Sequence, residues 1–155
     1  MTSKKPILIA SDHAGIALKA EIQSKLSNWT WMDLGPLESQ FVDYPDYAEI
    51  LGTKIIEGEA DQGILICGSG IGMSIAANKI EGIRAAVVEN PIAARLSREH
   101  NDANVLCLGS RFIAPEYGLE IVQVWLNTAF SQNPKHITRI EKVRQIEAKG
   151  QKLKG

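Results

Sequence analysis

The most constraining feature of this sequence is a short apolar run followed by three closely spaced glycines. It reads GILICGSGIG and extends from Gly63 to Gly72. A continuous apolar run of this length is typical of a strand that is buried on both faces, as in a parallel sheet. The glycines allow a tight turn into a helix, where backbone N–H groups can face an anion. The stretch therefore predicts a strand, an anion-binding loop and a helix.

Similar apolar runs occur on both sides of this stretch and alternate with segments of helical period. The predicted strands are residues 6–10, 29–34, 63–67, 83–88 and 105–108, and the predicted helices include 16–26, 47–57, 72–79, a helix from 91, and 115–128. Asp46 and Glu49 form the capping-box pattern expected at the start of the second helix. This alternation predicts an α/β fold with a five-stranded parallel sheet covered on both faces.

Length and composition exclude several classes of protein. The 155 residues fit one domain, 45% are hydrophobic and the net charge is −1, which argues against a disordered chain and against a basic nucleic-acid binder. No apolar run approaches the length of a membrane span, and no export signal is visible. Cys67 and Cys107 are too few for a disulfide framework, so we expect free thiols in a reducing cytoplasm.

The C-terminal tail, about residues 135–155, differs from the rest of the chain. It is charged and helix-prone, and its apolar residues are spaced by threes: Ile137, Ile140, Val143 and Ile146. The helix could pack on its own domain or on a second subunit, and the pattern alone does not separate the two.

Polar residues follow the predicted strands at the edge where open parallel sheets bind ligands. Asp12 and His13 could be a catalytic carboxylate and imidazole, or a helix cap and its neighbour. Cys67 precedes a helix and could be a reactive thiolate or a buried strand residue. His100, at a helix end, could serve in catalysis or complement the helix dipole.

The glycine loop lacks the Gly-Lys-Ser/Thr of a P-loop, and Met73 stands where a dinucleotide fingerprint has its third glycine. Glu89 lies at about the right distance along the chain from the loop for the acidic residue that binds ribose in a dinucleotide site. A dinucleotide-binding function therefore stays open. The loop together with basic residues suggests a phosphate clamp; these are Arg111, Lys135, His136 and Arg139. The scattered histidines predict no metal site.

Five segments together resemble the B-type ribose-5-phosphate isomerases of the ribose/galactose isomerase family. They are SDHAG at 11–15, DYP at 43–45, ILICGSGIG at 64–72, AANK at 76–79 and HNDANV at 100–105. The resemblance implies a Rossmann-like, three-layer αβα sandwich with a C-terminal helical tail, and we expect this tail to pack on the dimer partner and to carry part of the phosphate site. It also implies a homodimer with active sites at the interface, pairing of dimers into tetramers being left open. The implied ligand is a sugar phosphate, with no metal and no cofactor.

The resemblance implies that ribose 5-phosphate and ribulose 5-phosphate interconvert through an enediolate. Cys67 matches the base, His100 the acid that helps to open the sugar ring, and Asp12 the carboxylate that handles hydroxyl protons. The pocket for the enediolate is matched by Ser69 and the amides of Gly68, Gly70, Ile71 and Gly72. The remaining matched contacts are Asn101, Arg111, Lys135 and Arg139 for substrate and phosphate, with Tyr44 and His13 beside the sugar.

Two positions depart from a pattern common in the family. Lys135 replaces an arginine and keeps the charge without the bidentate fork, and Ser69 replaces a threonine and keeps the hydroxyl. Some branches lack the cysteine and use a glutamate one turn into the following helix; Met73 stands there and cannot act as a base, so the resemblance implies that Cys67 does. Other readings stay open: an isomerase of allose, galactose or tetrose phosphates, or a non-catalytic module that binds a sugar phosphate or a nucleotide.

Overall fold

The computed structural model describes residues 4–153 and 155, and in this part of the chain five strands alternate with six helices. The strands are β1 (Ile7–Ser11), β2 (Trp31–Asp33), β3 (Gly63–Cys67), β4 (Ala85–Val87) and β5 (Val105–Gly109). The helices are α1 (Ile16–Lys25), α2 (Tyr44–Ile56), α3 (Ile71–Ala77), α4 (Pro91–Asn101), α5 (Pro115–Asn127) and α6 (Pro134–Lys152). No helix of the described residues is long and apolar enough to span a membrane.

All strand pairs are parallel, and the strand order in the sheet is β2-β1-β3-β5-β4. The three central strands are buried along their whole length, which explains their continuous apolar sequences. Alternate side chains of β3 enter different cores. Ile64 and Ile66 face the core beneath α1 and α5, whereas Leu65 and Cys67 face the core beneath α2 and α3. This confirms the predicted three-layer α/β fold.

The start of α2 differs from the prediction. The capping-box pattern predicted a start after Asp46, but the helix begins at Tyr44 and Asp43 occupies the N-cap position without a side-chain cap. Pro45 accounts for the earlier start because proline is accommodated in the first turn of a helix, where its missing N–H has no partner to lose. Asp46 lies inside that first turn, where its carboxylate complements the helix dipole.

The tail forms α6, whose first residues follow Asn133; the Asn133 side chain accepts a hydrogen bond from the Lys135 N–H. On α6, His136 and Ile140 are buried against the same chain. Near the other end, Glu147 accepts a hydrogen bond from the Gly82 N–H at 3.1 Å. The helix therefore packs on its own domain through part of its surface, while Ile137, Val143 and Ile146 stay exposed.

Candidate active site

The candidate site lies where the direction of the strand order changes. From β1 the chain moves outward to β2, and from β3 it moves the other way to β5 and β4. A crevice forms at such a point, outside the carboxyl ends of the strands. Asp12 follows β1, and its backbone N–H donates to the Ile66 carbonyl of β3 at 3.0 Å. The residues after β1 and β3 are thereby held side by side.

Asp12 caps a helical turn, which is one of the two roles that its position suggested. Its carboxylate accepts a hydrogen bond from the Ala14 N–H at 2.9 Å and caps the short 3-10 turn His13–Gly15. One carboxylate oxygen is engaged in this bond, and the side chain also lines a cavity that opens at the sheet edge. The cap holds the carboxylate in a fixed place without removing it from the site.

Cys67 ends β3 with its sulfur facing the glycine loop. The Gly70 N–H donates to the Cys67 Sγ at 3.1 Å. Gly70 adopts a left-handed backbone with φ 75°, a conformation that glycine reaches without a Cβ penalty. This turn aims the amide at the sulfur, where a hydrogen-bond donor stabilises negative charge. Cys67 is 4% exposed and lines the same cavity as Asp12.

The loop after β5 closes around the glycine loop from the other side. The Ser110 N–H donates to the Cys67 carbonyl at 2.9 Å, and the Arg111 N–H donates to the Gly68 carbonyl at 3.0 Å. The Arg111 guanidinium lies against Gly68, where an added Cβ would be 3.1 Å from its Cζ. A cation thus stands over the loop because residue 68 has no side chain.

Aromatic side chains form another wall of the cavity that Asp12 and Cys67 line. Tyr44 packs on Gly72, where a Cβ would lie 2.7 Å from the Tyr44 Cζ. The imidazole of His13 contacts the ring of Phe41 with centroids 4.7 Å apart. Tyr44 and His13 help to line a cavity of about 320 Å³. Its lining is Asp12, His13, Ala14, Tyr44, Cys67, Gly68, Ser69, Gly72, Arg111 and Phe112.

The other predicted site residues lie elsewhere on the chain. His100, Asn101 and Arg139 line a second cavity of about 650 Å³ beside β4, α4 and α6. The two cavities have no lining residue in common among the described residues. Lys135 lies in the first turn of α6 and lines neither of them. The structure therefore divides the predicted site residues into one group around Cys67 and another around His100.

His136, absent from the set matched to the family, is the residue in contact with His100. The two imidazole rings stack with centroids 4.2 Å apart and an interplanar angle of 19°. His136 is buried, although Lys135 and Arg139 flank it on an otherwise exposed helix surface. Its position in a basic segment had suggested only a member of the phosphate clamp. No sequence signal identified the stack, because α4 and α6 are distant along the chain.

The environment of His136 predicts a pH dependence of folding. Desolvation lowers the pKa of His136, and the nearby His100, Lys135 and Arg139 lower it further. Below the unfolded-state pKa of about 6.5, the unfolded chain binds a proton that the folded chain accepts less readily. Stability that is complete above this value is therefore lost as the pH falls. Thermal unfolding at about pH 7.5 and about pH 5.5 should show a smaller loss for His136→Gln than for the wild type. Equal losses in the two proteins would contradict this assignment.

Fold and site together define a Rossmann-like α/β protein that presents a thiol, a carboxylate and a guanidinium around a glycine loop. Among the described residues, no group of three or more His, Cys, Asp or Glu side chains is arranged to hold a metal ion. A sequence profile described as Ribose/Galactose Isomerase matches residues 7–143. The chain belongs to this family.

Individual relatives cover almost the whole chain. Ribose-5-phosphate isomerase B of Escherichia coli is 44% identical over 145 residues, which span 92% of this chain and 97% of the relative. The Clostridium thermocellum ribose-5-phosphate isomerase B structure superposes with a TM-score of 0.90 at 46% identity, covering 93% of this chain and 98% of that one. The Mycoplasma genitalium enzyme, solved with bound ribulose-5-phosphate, has a TM-score of 0.86 at 41% identity and covers 92% and 96%.

Proposed function

We propose that this protein is an aldose–ketose isomerase that interconverts ribose 5-phosphate and ribulose 5-phosphate. The observation that carries the proposal is the Cys67 sulfur, which accepts the Gly70 N–H at 3.1 Å inside a cavity that also contains Asp12 and Arg111. Family membership supports the reaction class, and the ribulose-5-phosphate bound to the Mycoplasma genitalium relative supports the substrate.

In the proposed reaction, two protons change place and no atom is lost. The Cys67 thiolate removes the proton from C2 of the open-chain aldose and later returns it to C1. The Asp12 carboxylate accepts the proton of the O2 hydroxyl and delivers it to O1, so that the carbonyl moves from C1 to C2. The net change is the transfer of two hydrogens within the sugar, with no external oxidant or reductant.

The enediolate between the two sugars carries negative charge on oxygen. We assign its stabilisation to the Ser69 hydroxyl and to the Gly68 and Gly72 amides of the glycine loop, because the Gly70 N–H donates to the Cys67 Sγ and the Ile71 N–H to the Ser69 oxygen. Fixed donors of this kind stabilise the transition state without reorganisation. The Ser69 oxygen already accepts the Ile71 N–H at 3.2 Å, which leaves its O–H free to donate to the enediolate. Tyr44 and His13 form the wall against which the sugar packs.

We propose that a second subunit completes the site. His100 is the assigned acid for ring opening, yet it lines a different cavity from Cys67 within the chain. Around its cavity and on neighbouring helices the surface is apolar, with Ile71, Ile75, Ile92, Val143 and Ile146 each more than half exposed. Exposed apolar residues in such numbers favour a subunit interface. A homodimer would place His100, Asn101, Lys135 and Arg139 of one chain opposite Cys67 of the other, with Arg111 and the partner's cations sharing the phosphate.

The two free, buried thiols support a reducing compartment, and we propose that the enzyme acts in the cytoplasm. Because Asp12, Cys67 and His100 occur in one chain, we propose that a homo-oligomer suffices without a second kind of subunit.

A coupled isomerase assay across four-, five- and six-carbon aldose phosphates tests the proposed function. We expect the highest kcat/KM with ribose 5-phosphate. Preference for allose 6-phosphate, galactose 6-phosphate or a tetrose phosphate would keep the reaction class and replace the substrate. Absence of turnover with all of them, combined with micromolar nucleotide binding, would overturn the proposal in favour of a binding module.

A further inference from the structure

The turn that follows His100 and Asn101 is held in an unusual backbone conformation. Asp102 caps the C-terminus of α4 with φ 46° and ψ 45°, in the left-handed region. Its N–H donates to carbonyls of the last helical turn, those of Arg98 and Ser97. A residue with a Cβ adopts this conformation at a cost in energy, and such residues persist where their surroundings hold them.

Arg84, which precedes β4, holds this turn from one side. Its Nε donates to the Asn101 carbonyl and to the Asp102 carbonyl, both at 3.1 Å. Its Nη2 donates to the Asp102 carbonyl at 2.9 Å and to the Asp102 carboxylate at 3.2 Å. One guanidinium therefore fixes two successive carbonyls and the side chain of the turn, which a single point charge does not do.

Arg98 holds the turn from the other side. Its Nη1 donates to the second Asp102 carboxylate oxygen at 2.9 Å and to the Ala103 carbonyl. Its Nε donates to the Thr128 carbonyl at 3.2 Å, and its guanidinium lies over the Trp125 ring. Arg98 thus connects the turn to α5 and the core, whereas the side-chain hydrogen bonds of Arg84 all go to the turn itself.

These groups are shielded from water. The side chains of Arg84 and Arg98 are 17% and 11% exposed, and Asp102 is 35% exposed. Burial lowers the pKa of Arg84, while Asp102 acts in the opposite direction. A buried guanidinium is favourable only when its donors are satisfied. Arg84 also lines the cavity of His100, so its donors meet the turn at the wall of that cavity.

We propose that Arg84, through Asp102, is a positioning residue that fixes the end of α4 so that His100 and Asn101 project correctly into the site. This rests on the role proposed above for His100. Arg84 acts on the His100 of its own chain, and in a shared site that His100 serves the Cys67 of the partner subunit. Loss of Arg84 in one chain should therefore impair the site that uses the His100 of that chain. The site that uses the Cys67 of that chain should stay active.

The first test is the turnover of Arg84→Met, Arg84→Lys and Asp102→Asn with ribose 5-phosphate. We expect Arg84→Met to lower kcat on the order of 10- to 100-fold, since small displacements of a catalytic group have effects of this size. Arg84→Lys should resemble Arg84→Met because lysine lacks the fork. Asp102→Asn keeps a residue that tolerates the left-handed backbone, and its kcat should fall less than that of Arg84→Met. If Arg84→Met keeps more than about half of the wild-type kcat, the proposal is overturned.

The matched control is Arg95→Met, which removes an exposed ion pair with Glu99 on the same helix. We expect its kcat to stay within about twofold of the wild type, because exposed pairs contribute little. A similar loss in Arg95→Met and Arg84→Met would mean that any change in α4 lowers turnover, and would overturn the proposal.

The second test separates positioning from a general structural defect. Two differently tagged chains are co-expressed and heterodimers are purified through both tags. A heterodimer of Arg84→Met and Cys67→Ala has one site with an intact Cys67 and an intact His100, and we expect about half of the wild-type turnover. A heterodimer of Arg84→Met and His100→Ala has no site with both groups intact, so we expect no gain in turnover over the Arg84→Met homodimer. The reference pair, Cys67→Ala with His100→Ala, reports separately on the shared site. If the reference pair recovers activity and the first pair does not, Arg84→Met causes general damage and the proposal is overturned. If the reference pair stays inactive, the site is not shared in this way, and the kcat values with the Arg95→Met control decide the role of Arg84.

Discussion

Cys67→Ser is expected to lower the turnover of ribose 5-phosphate by a factor on the order of 100 to 10,000, the range in which positioned acids and bases contribute. The hydroxyl is similar in size and can still accept the Gly70 N–H that Cys67 accepts at 3.1 Å. It is a far weaker acid than a thiol, however, and stays protonated. The loop should keep its shape while the base is lost, so kcat falls more than KM changes. Steady-state kinetics, with circular dichroism as a check on folding, measures this.

Cys107 provides the matched control. It lies on β5, which pairs with β3, and its side chain faces the same core as Cys67. It is fully buried, and burial raises the pKa of its thiol, with Cys67 acting in the same direction. Cys107→Ala should therefore cost stability through the lost packing and leave kcat close to the wild-type value. Near-normal turnover in Cys67→Ser would show that another group removes the C2 proton.

The central strands and the loop around Cys67 were predictable because their signals are local. A continuous apolar run marks a strand buried on both faces, and three glycines in a short interval mark a turn that no other residue makes as easily. The carboxyl-edge rule then places Asp12 and Cys67 at one edge of the sheet, and the pairing of β1 with β3 brings them together. In the structure both residues line one cavity.

Features that depend on distant partners were not predictable from local patterns. The buried His136 stacks on His100, and Arg84 donates to the carbonyl of the left-handed Asp102. Neither partner is near in sequence. Lys19 lies within the predicted helix 16–26, yet it is 2% exposed and donates to Asp33 and to the Pro36 carbonyl, each at 2.7 Å. Such burial of a charge is set by the tertiary fold and leaves no periodic signal.

The predicted site residues fall into one group around Cys67 and another around His100. This division predicts a large recovery of turnover in a heterodimer. Cys67→Ala and His100→Ala homodimers should each be nearly inactive. A purified heterodimer of the two variants has one site with both residues intact and one with neither, if each site combines Cys67 of one chain with His100 of the partner subunit. Its turnover should then recover to about half of the wild-type value per dimer. If Cys67 and His100 acted within one chain, both sites of the heterodimer would lack a group and turnover would stay at the level of the homodimers.

The gain in turnover is expected to be large because the Cys67→Ala and His100→Ala homodimers each lack an essential group. Even a partly assembled heterodimer should therefore be visible above their residual turnover. A heterodimer of Cys67→Ala and Asp12→Asn supplies the contrast. Asp12 and Cys67 line the same cavity, so the two substitutions lie in the same half of the site, and every site in that heterodimer is defective. Recovery in the first pair and none in the second would place the subunit boundary between the Cys67 and His100 groups. Recovery in both pairs, or in neither, would contradict that division.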